Sequence, residues 1–183
     1  MKAVFVTSNK FKVNEAKRIT GNLLRYRKME LDEIQEINIR KVLAHKALQA
    51  YDRIGERVVI EDTGIYINAF GGFPGALTKW MLASMGCEGI CTALDGFEDR
   101  KAYAESCVAL YDGKRLRVFC GTNDGRISDM PRGRKGFGFD SIFIPDKCGK
   151  TFSEMGAAEK NRISHRGIAF RKLMKYLLSD GAV

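Results

Sequence analysis

The run Arg57-Val58-Val59-Ile60 constrains this chain most, because three consecutive β-branched residues suit a strand buried on both faces and fit a helix poorly. It ends at Glu61-Asp62, so a hydrophobic strand delivers two carboxylates to its end. Such a strand needs apolar layers on either side, and helices of the right period flank it in sequence. Val13, Ala16 and Ile19 recur at helical spacing after the apolar strand Lys2 to Val6, and Ile39, Val42, Leu43, Ala47 and Ala50 mark a second helix. Downstream, Ile65 to Phe70 reads as a strand closed by the Gly71-Gly72-Phe73-Pro74-Gly75 turn, and Trp80 to Leu94 as a helix. Ser106 to Tyr111 and Leu116 to Thr122 flank Asp112-Gly113, a hairpin signal. Phe139 to Ile144 gives one more strand, and Ile163, Gly167, Phe170, Leu173, Met174 and Leu177 give a long final helix. The sum is an α/β fold with a mixed sheet, and no repeat, linker or low-complexity tract divides residues 1–183 into more than one domain.

Composition narrows the class. With 45% hydrophobic and 29% charged residues the chain has too many core formers to be disordered, and no apolar run reaches the length of a membrane span. The opening MKAVFVTSN passes from one lysine straight into a strand pattern, unlike a secretory leader, so we expect an intracellular, cytoplasmic protein. Five cysteines, an odd number in a chain of this size, argue against a disulfide framework and for reduced thiols. Cys87 and Cys91 lack the second Cys/His pair that a zinc site needs. Lys and Arg exceed Asp and Glu by 31 to 22, a net charge of +9 that attracts polyanions; nucleic acid and nucleoside triphosphate both qualify. The basic residues are scattered along the chain, as on an ordinary solvated surface.

Three clusters carry residue types that a packed core does not require. Thr7-Ser8-Asn9-Lys10-Phe11-Lys12 sits between strand and helix, where free N–H groups and the helix dipole make an anion site, although Ser and Asn also cap helices routinely. Glu61-Asp62-Thr63-Gly64 places adjacent acids whose side chains alternation sends in opposite directions. One can bind a divalent cation while the other orients or deprotonates a water; two solvated acids at a strand end would look the same. The segment Gly136 to Arg166 combines glycines, aromatics, Asp140, Lys160 and His165-Arg166. Flat apolar faces beside fixed donors describe a nucleotide pocket, with Phe137 or Phe139 stacking on a base and His or Arg donors favouring a six-carbonyl over a six-amino group. His45 has no acidic neighbour on its helix and reads as structural.

Together these clusters closely resemble the inosine triphosphate and xanthosine triphosphate pyrophosphatase family. The family's Thr-Gly-Asn-x-x-Lys is matched at Thr7, Asn9 and Lys12, its acidic Asp-Ser-Gly motif at Glu61 to Gly64, and its Phe-Gly-Tyr-Asp, Glu-Lys and Ser-His-Arg at Phe137 to Asp140, Lys160 and Ser164 to Arg166. The match runs from Val4 to Leu178. It implies an elongated α/β fold with a long twisted mixed sheet, two lobes around a deep cleft, usually as a homodimer. It implies hydrolysis of deaminated purine triphosphates to monophosphate and pyrophosphate, with Mg2+ as cofactor and no stable nucleic acid or membrane partner. By position, Thr7, Ser8, Asn9, Lys10, Phe11 and Lys12 would grip the triphosphate and Asp62 would be proton acceptor and metal ligand with Glu61 beside it. Thr63, Phe137, Gly138, Phe139, Asp140, Lys160, His165 and Arg166 would touch substrate.

The chain departs from the pattern at Ser8 for glycine, Phe139 for tyrosine, Ser141 for proline, and Lys41 where a metal-binding glutamate is expected five residues before Lys46. A cation cannot coordinate magnesium, so Glu36 would substitute, or Glu61 and Asp62 would hold the ion with substrate and water. Two alternatives follow. A related family acting on thymidine or modified pyrimidine triphosphates shares the fold but lacks the Ser-His-Arg and Phe-Gly-Phe-Asp combination. A basic nucleotide- or RNA-binding protein without turnover would follow if Lys41 abolished the metal site.

Overall fold

In the computed structural model, which describes residues 2–180, strand β1 (Val4–Val6) leads into helix α1 (Lys10–Thr20). Asn9 caps that helix, its side-chain oxygen accepting from Phe11 N and Lys12 N. Strand β2 (Arg25–Arg27), helix α2 (Ile39–Ile54) and strand β3 (Val58–Ile67) follow, then the two-residue strand β4 (Pro74–Gly75) and helix α3 (Thr78–Thr92). The pair β5 (Lys101–Tyr111) and β6 (Leu116–Ile127), strand β7 (Phe143–Pro145), and helices α4 (Ala157–Ile163) and α5 (His165–Asp180) complete the described chain. One seven-stranded sheet has the order β2-β1-β3-β5-β6-β7, with β4 attached to β3. β1 is parallel to β2 and β3, and every other pairing is antiparallel, so the sheet is mixed.

The β-branched run does what its composition requires. Val58 and Ile60 face α2, packing with Leu43, Ala47 and Ala50, while Val59 faces the opposite layer with Phe5, Val108 and the α5 residues Phe170 and Leu173. A third cluster, including Ile65, Ile67, Ile90, Leu94, Phe143 and Phe152, fills the far end of the sheet beside α3. These clusters hold β3 rigid between helices, and a rigid strand is a good mount for catalytic side chains.

Several elements differ from the sequence expectation. β3 does not stop at Glu61-Asp62 but continues to Ile67, because β5 pairs with it residue by residue from Val58↔Tyr111 to Ile67↔Ala102. The acids therefore sit mid-strand. Gly64 keeps its place in this long strand because a Cβ there would lie 2.6 Å from the Gly75 carbonyl oxygen, where β4 closes on β3. The Phe139–Ile144 strand shrinks to Phe143–Pro145, since Ile142 N and Phe143 N donate to the Phe139 carbonyl and fold residues 139–142 into a turn. The final helix splits at Ser164, which is extended and accepts from Gly167 N through its hydroxyl at 3.1 Å. The β5–β6 loop spans residues 112–115, with the Asp112 carboxylate accepting from Lys114 N and Arg115 N.

The expectation of five free thiols is also corrected. Cys107 and Cys120 are directly opposite in the β5–β6 register and form a disulfide, whereas Cys87, Cys91 and Cys148 are free. Neighbours this close across two strands pair whatever the parity of the total count. No helix among the described residues is long and apolar enough to cross a membrane.

Candidate active site

The three motif clusters converge on one cavity of about 400 Å³. Thr7, Ser8, Asn9 and Lys12 form one wall, Glu61, Asp62 and Thr63 the floor, and Phe137, Gly138, Phe139, Asp140, His165 and Arg166 the far side. Lys10, Phe11 and Lys160 do not line it. Lys10 and Phe11 are exposed on the outer surface of α1, while Lys160 is buried behind the wall.

At one end the alternation of β3 separates the acids. Glu61 points to the α5 side, where its Oε1 accepts from Ser106 Oγ at 2.7 Å and from Arg166 Nε at 3.1 Å. Asp62 points to the α2 side, where Oδ2 accepts from Lys46 Nζ at 2.7 Å. Lys12 spans the two, its Nζ lying 3.1 Å from Glu61 Oε2 and 3.4 Å from Asp62 Oδ1. Glu61 Oε2 is buried with no hydrogen bond, so the Lys12 ammonium is its ionic counterpart.

The electrostatics follow from burial opposed by charge. Burial pushes the Glu61 carboxyl up, but Arg166 and then Lys12 more than offset this and hold it well below the ordinary range. Asp62 is likewise lowered against its burial by Lys12 and Lys46. Burial works against the Lys12 charge, and Glu61 and Asp62 outweigh it, so its pKa rises. Both acids are ionised at neutral pH, and Asp62 reaches the cavity as a carboxylate.

Three participants escaped the sequence reading. Glu15, on α1 one turn after Lys12, is buried and pairs with Lys160 Nζ at 2.7 Å and with Arg166 Nη1. Lys46 is buried and bridges Asp62 to Glu33, 2.7 Å from each. Glu33 lines the cavity, whereas Lys41 and Glu36 pair with each other at 2.9 Å on the surface and do not. Neither Glu36 nor Lys41 reaches the cavity. The signal for Glu15 was its i+3 spacing from Lys12, which puts both on one helix face. For Glu33, in an irregular segment, the sequence carried none.

Glu33, Glu61 and Asp62 are the carboxylates lining this end of the cavity. Three lysine ammonium groups, Lys12, Lys46 and Lys79, are already seated among them, so the site accommodates positive charge. Among the described residues Glu33, Glu61 and Asp62 do not gather their oxygens into one tight group, so the cavity acids do not by themselves form a closed cage. That suits a hard cation bound through one or two carboxylates together with substrate oxygens.

The other end is aromatic, with a neutral imidazole among its ion pairs. Phe137 is half-buried at the rim, its amide N donating to Asp140 Oδ2 at 2.7 Å. Asp140 also accepts from Lys160 Nζ at 2.6 Å, and burial raises its pKa despite that ammonium. Phe139 is buried and stacks on His165 with ring centroids 5.8 Å apart. His165 is 1% exposed, its Nδ1 has no hydrogen-bond partner among the described residues, and burial, then Arg166 and Lys160, drive its pKa well below the usual value. It is a neutral imidazole with a spare ring nitrogen. Arg166 is anchored by Glu15, by Glu61 and by Thr63, whose Oγ1 accepts from Nη2 at 2.9 Å. Gly121 permits this arrangement, because a Cβ there would lie 2.3 Å from the His165 carbonyl oxygen and push α5 off β6.

Known proteins share this construction. A family model described as Ham1 family matches residues 3–176. The chain is 38% identical over 181 residues to a dITP/XTP pyrophosphatase of Hyperthermus butylicus, covering 97% of this chain and 95% of that one. It is 43% identical over 173 residues to inosine triphosphate pyrophosphatase 2 of Trypanosoma cruzi, covering 92% and 88%. Among solved structures, a HAM1 protein from Coxiella burnetii superposes with a TM-score of 0.86 at 25% identity, covering 98% of this chain and all of that one. With a family match across nearly its whole length, relatives at this identity and a motif set gathered into one cavity, the chain belongs to the Ham1 family.

Proposed function

We propose that this protein hydrolyses deaminated purine nucleoside triphosphates, inosine, deoxyinosine and xanthosine triphosphate, to the monophosphate and pyrophosphate. The observation that carries this is the polarity of the cavity: three carboxylates and three lysines at one end, a neutral imidazole beside an aromatic ring at the other. Relatives named dITP/XTP pyrophosphatase and inosine triphosphate pyrophosphatase support it.

The chain's own groups divide the work. Lys12 and the amides of the first loop balance charge on the leaving pyrophosphate. Asp62, ionised and fixed by Lys46, orients the attacking water and takes its proton. Glu61, locked by Ser106, Thr63 and Arg166, keeps Lys12 in place. Glu33, Glu61 and Asp62 would hold Mg2+, which when bound neutralises phosphate charge and lowers the pKa of a water. At the base end Phe137 stacks on the purine, and His165 with the anchored Arg166 meets the six-carbonyl. With the His165 N–H turned to the ligand, an amino group at that position meets donors instead, and a buried polar group left unpaired costs about 1–3 kcal/mol. Within this reading the enzyme is a cytoplasmic homodimer.

Pyrophosphate release from inosine, xanthosine, adenosine, guanosine and thymidine triphosphates, with and without magnesium, tests the proposal. Magnesium-dependent pyrophosphate release confined largely to inosine and xanthosine substrates is expected. Preference for the thymidine substrate would transfer the chain to the pyrimidine reading, and release from none would favour a binding protein.

A further inference from the structure

We propose that Phe11 is a positioning residue for base recognition, holding Phe137 as a flat platform from outside the cavity. This rests on the reading of the cavity as a purine nucleotide site. The family pattern places Phe11 only within the phosphate-gripping loop, but the structure puts its ring elsewhere. It is 46% exposed, does not line the cavity, and stacks on Phe137 with centroids 5.3 Å apart and planes 17° from parallel.

Phe137 needs such support. It stands between Gly136 and Gly138, both at positive φ, so the backbone on either side has the freedom that only glycine has. The hydrogen bond its amide N–H donates to the Asp140 carboxylate fixes the main chain but not the ring. Two cations, Lys160 Nζ and Arg166 Cζ, lie 5.1 Å from the ring centroid, and a ring that tilted away would lose both contacts. Phe11, carried on the first turn of α1, supplies the one aromatic contact among the described residues that limits tilting from the solvent side. Because α1 also carries Lys12, the same helix turn sets the phosphate end and steadies the base end.

The test is a set of variants assayed on inosine triphosphate. Phe11→Ala is expected to raise KM about 3- to 10-fold, the range expected from losing an aromatic pair, with kcat within about twofold. Phe11→Tyr should restore KM, and Phe11→Leu, which keeps bulk without a ring, should not. In Phe137→Ala the substitution Phe11→Ala should add nothing further, since the platform it supports is gone. An unchanged KM in Phe11→Ala, or an equal penalty in the Phe137→Ala background, overturns the role while leaving the activity intact. A wild-type chain inactive on every purine triphosphate overturns the functional reading itself. Phe11 is exposed, so a fall in kcat with unchanged KM would mean that its substitution disturbs Lys12 and would also contradict the role.

Discussion

The two ends of the cavity are built on opposite principles. At the phosphate end each acid is satisfied by more than one partner: Asp62 by Lys12, Lys46 and the Thr63 amide, Glu61 by Ser106, Arg166 and Lys12. At the base end the central group is left incomplete, with the His165 Nδ1 buried and unpartnered. Saturated charge gives rigidity and fixes protonation. An open hydrogen-bonding position gives choice, because only a ligand of the right pattern completes it. Glu15 joins the ends, bonding both Lys160 behind the aromatic loop and Arg166, which in turn bonds Glu61.

The sharpest way to break this contrast is at Asp62. Asp62→Asn keeps the shape and removes the charge, and we expect kcat for inosine triphosphate to fall by about 10²- to 10⁴-fold while binding of a non-hydrolysable analogue persists. Lys46→Met should instead act on stability. It strands the Asp62 carboxylate beside Lys12 alone, and urea unfolding should show a loss of about 3–5 kcal/mol, the cost of breaking a buried pair. Phe137→Ala is expected to raise KM about tenfold with little change in kcat, since stacking on one base is worth about 1–3 kcal/mol. The smallest effect concerns pH. The folded pKa of His165 lies below its unfolded value, so the unfolded chain binds more protons and stability falls as pH drops below the ordinary histidine value of 6.5. Melting temperature should decline from about pH 6.5 downward, and His165→Gln should flatten the upper part of that decline. Glu61 and Asp62 are depressed, so their stabilising contribution is present above the ordinary carboxylate range and is lost only at more acid pH.

Much of this was legible in the sequence because it is local. The β-branched run, the helical spacing of Ile39 to Ala50 and the capping Asn9 each gave their element, and alternation alone separated Glu61 from Asp62. What escaped was set by long-range pairing. The strand was read to end at Glu61-Asp62, but ten register partners on β5 carry β3 through to Ile67. Nothing local marks the pairing of Glu15, because its partners Lys160 and Arg166 lie 145 and 151 residues away. Glu33 comes from a segment without periodicity, and Lys41, at the position where a glutamate was expected, faces solvent. The disulfide required the β5–β6 register, which a count of cysteines does not contain.

The central claim is the division between a charged end that performs the reaction and an incomplete end that selects the base. Measuring kcat/KM for inosine and adenosine triphosphates in wild type, Asp62→Asn and His165→Gln tests it most directly. The account predicts that Asp62→Asn lowers both values by a similar large factor and leaves their ratio unchanged. His165→Gln should keep turnover of the inosine substrate within about tenfold while compressing the ratio toward one. A ratio unmoved by His165→Gln, or Asp62→Asn turning over at the wild-type rate, would contradict the account.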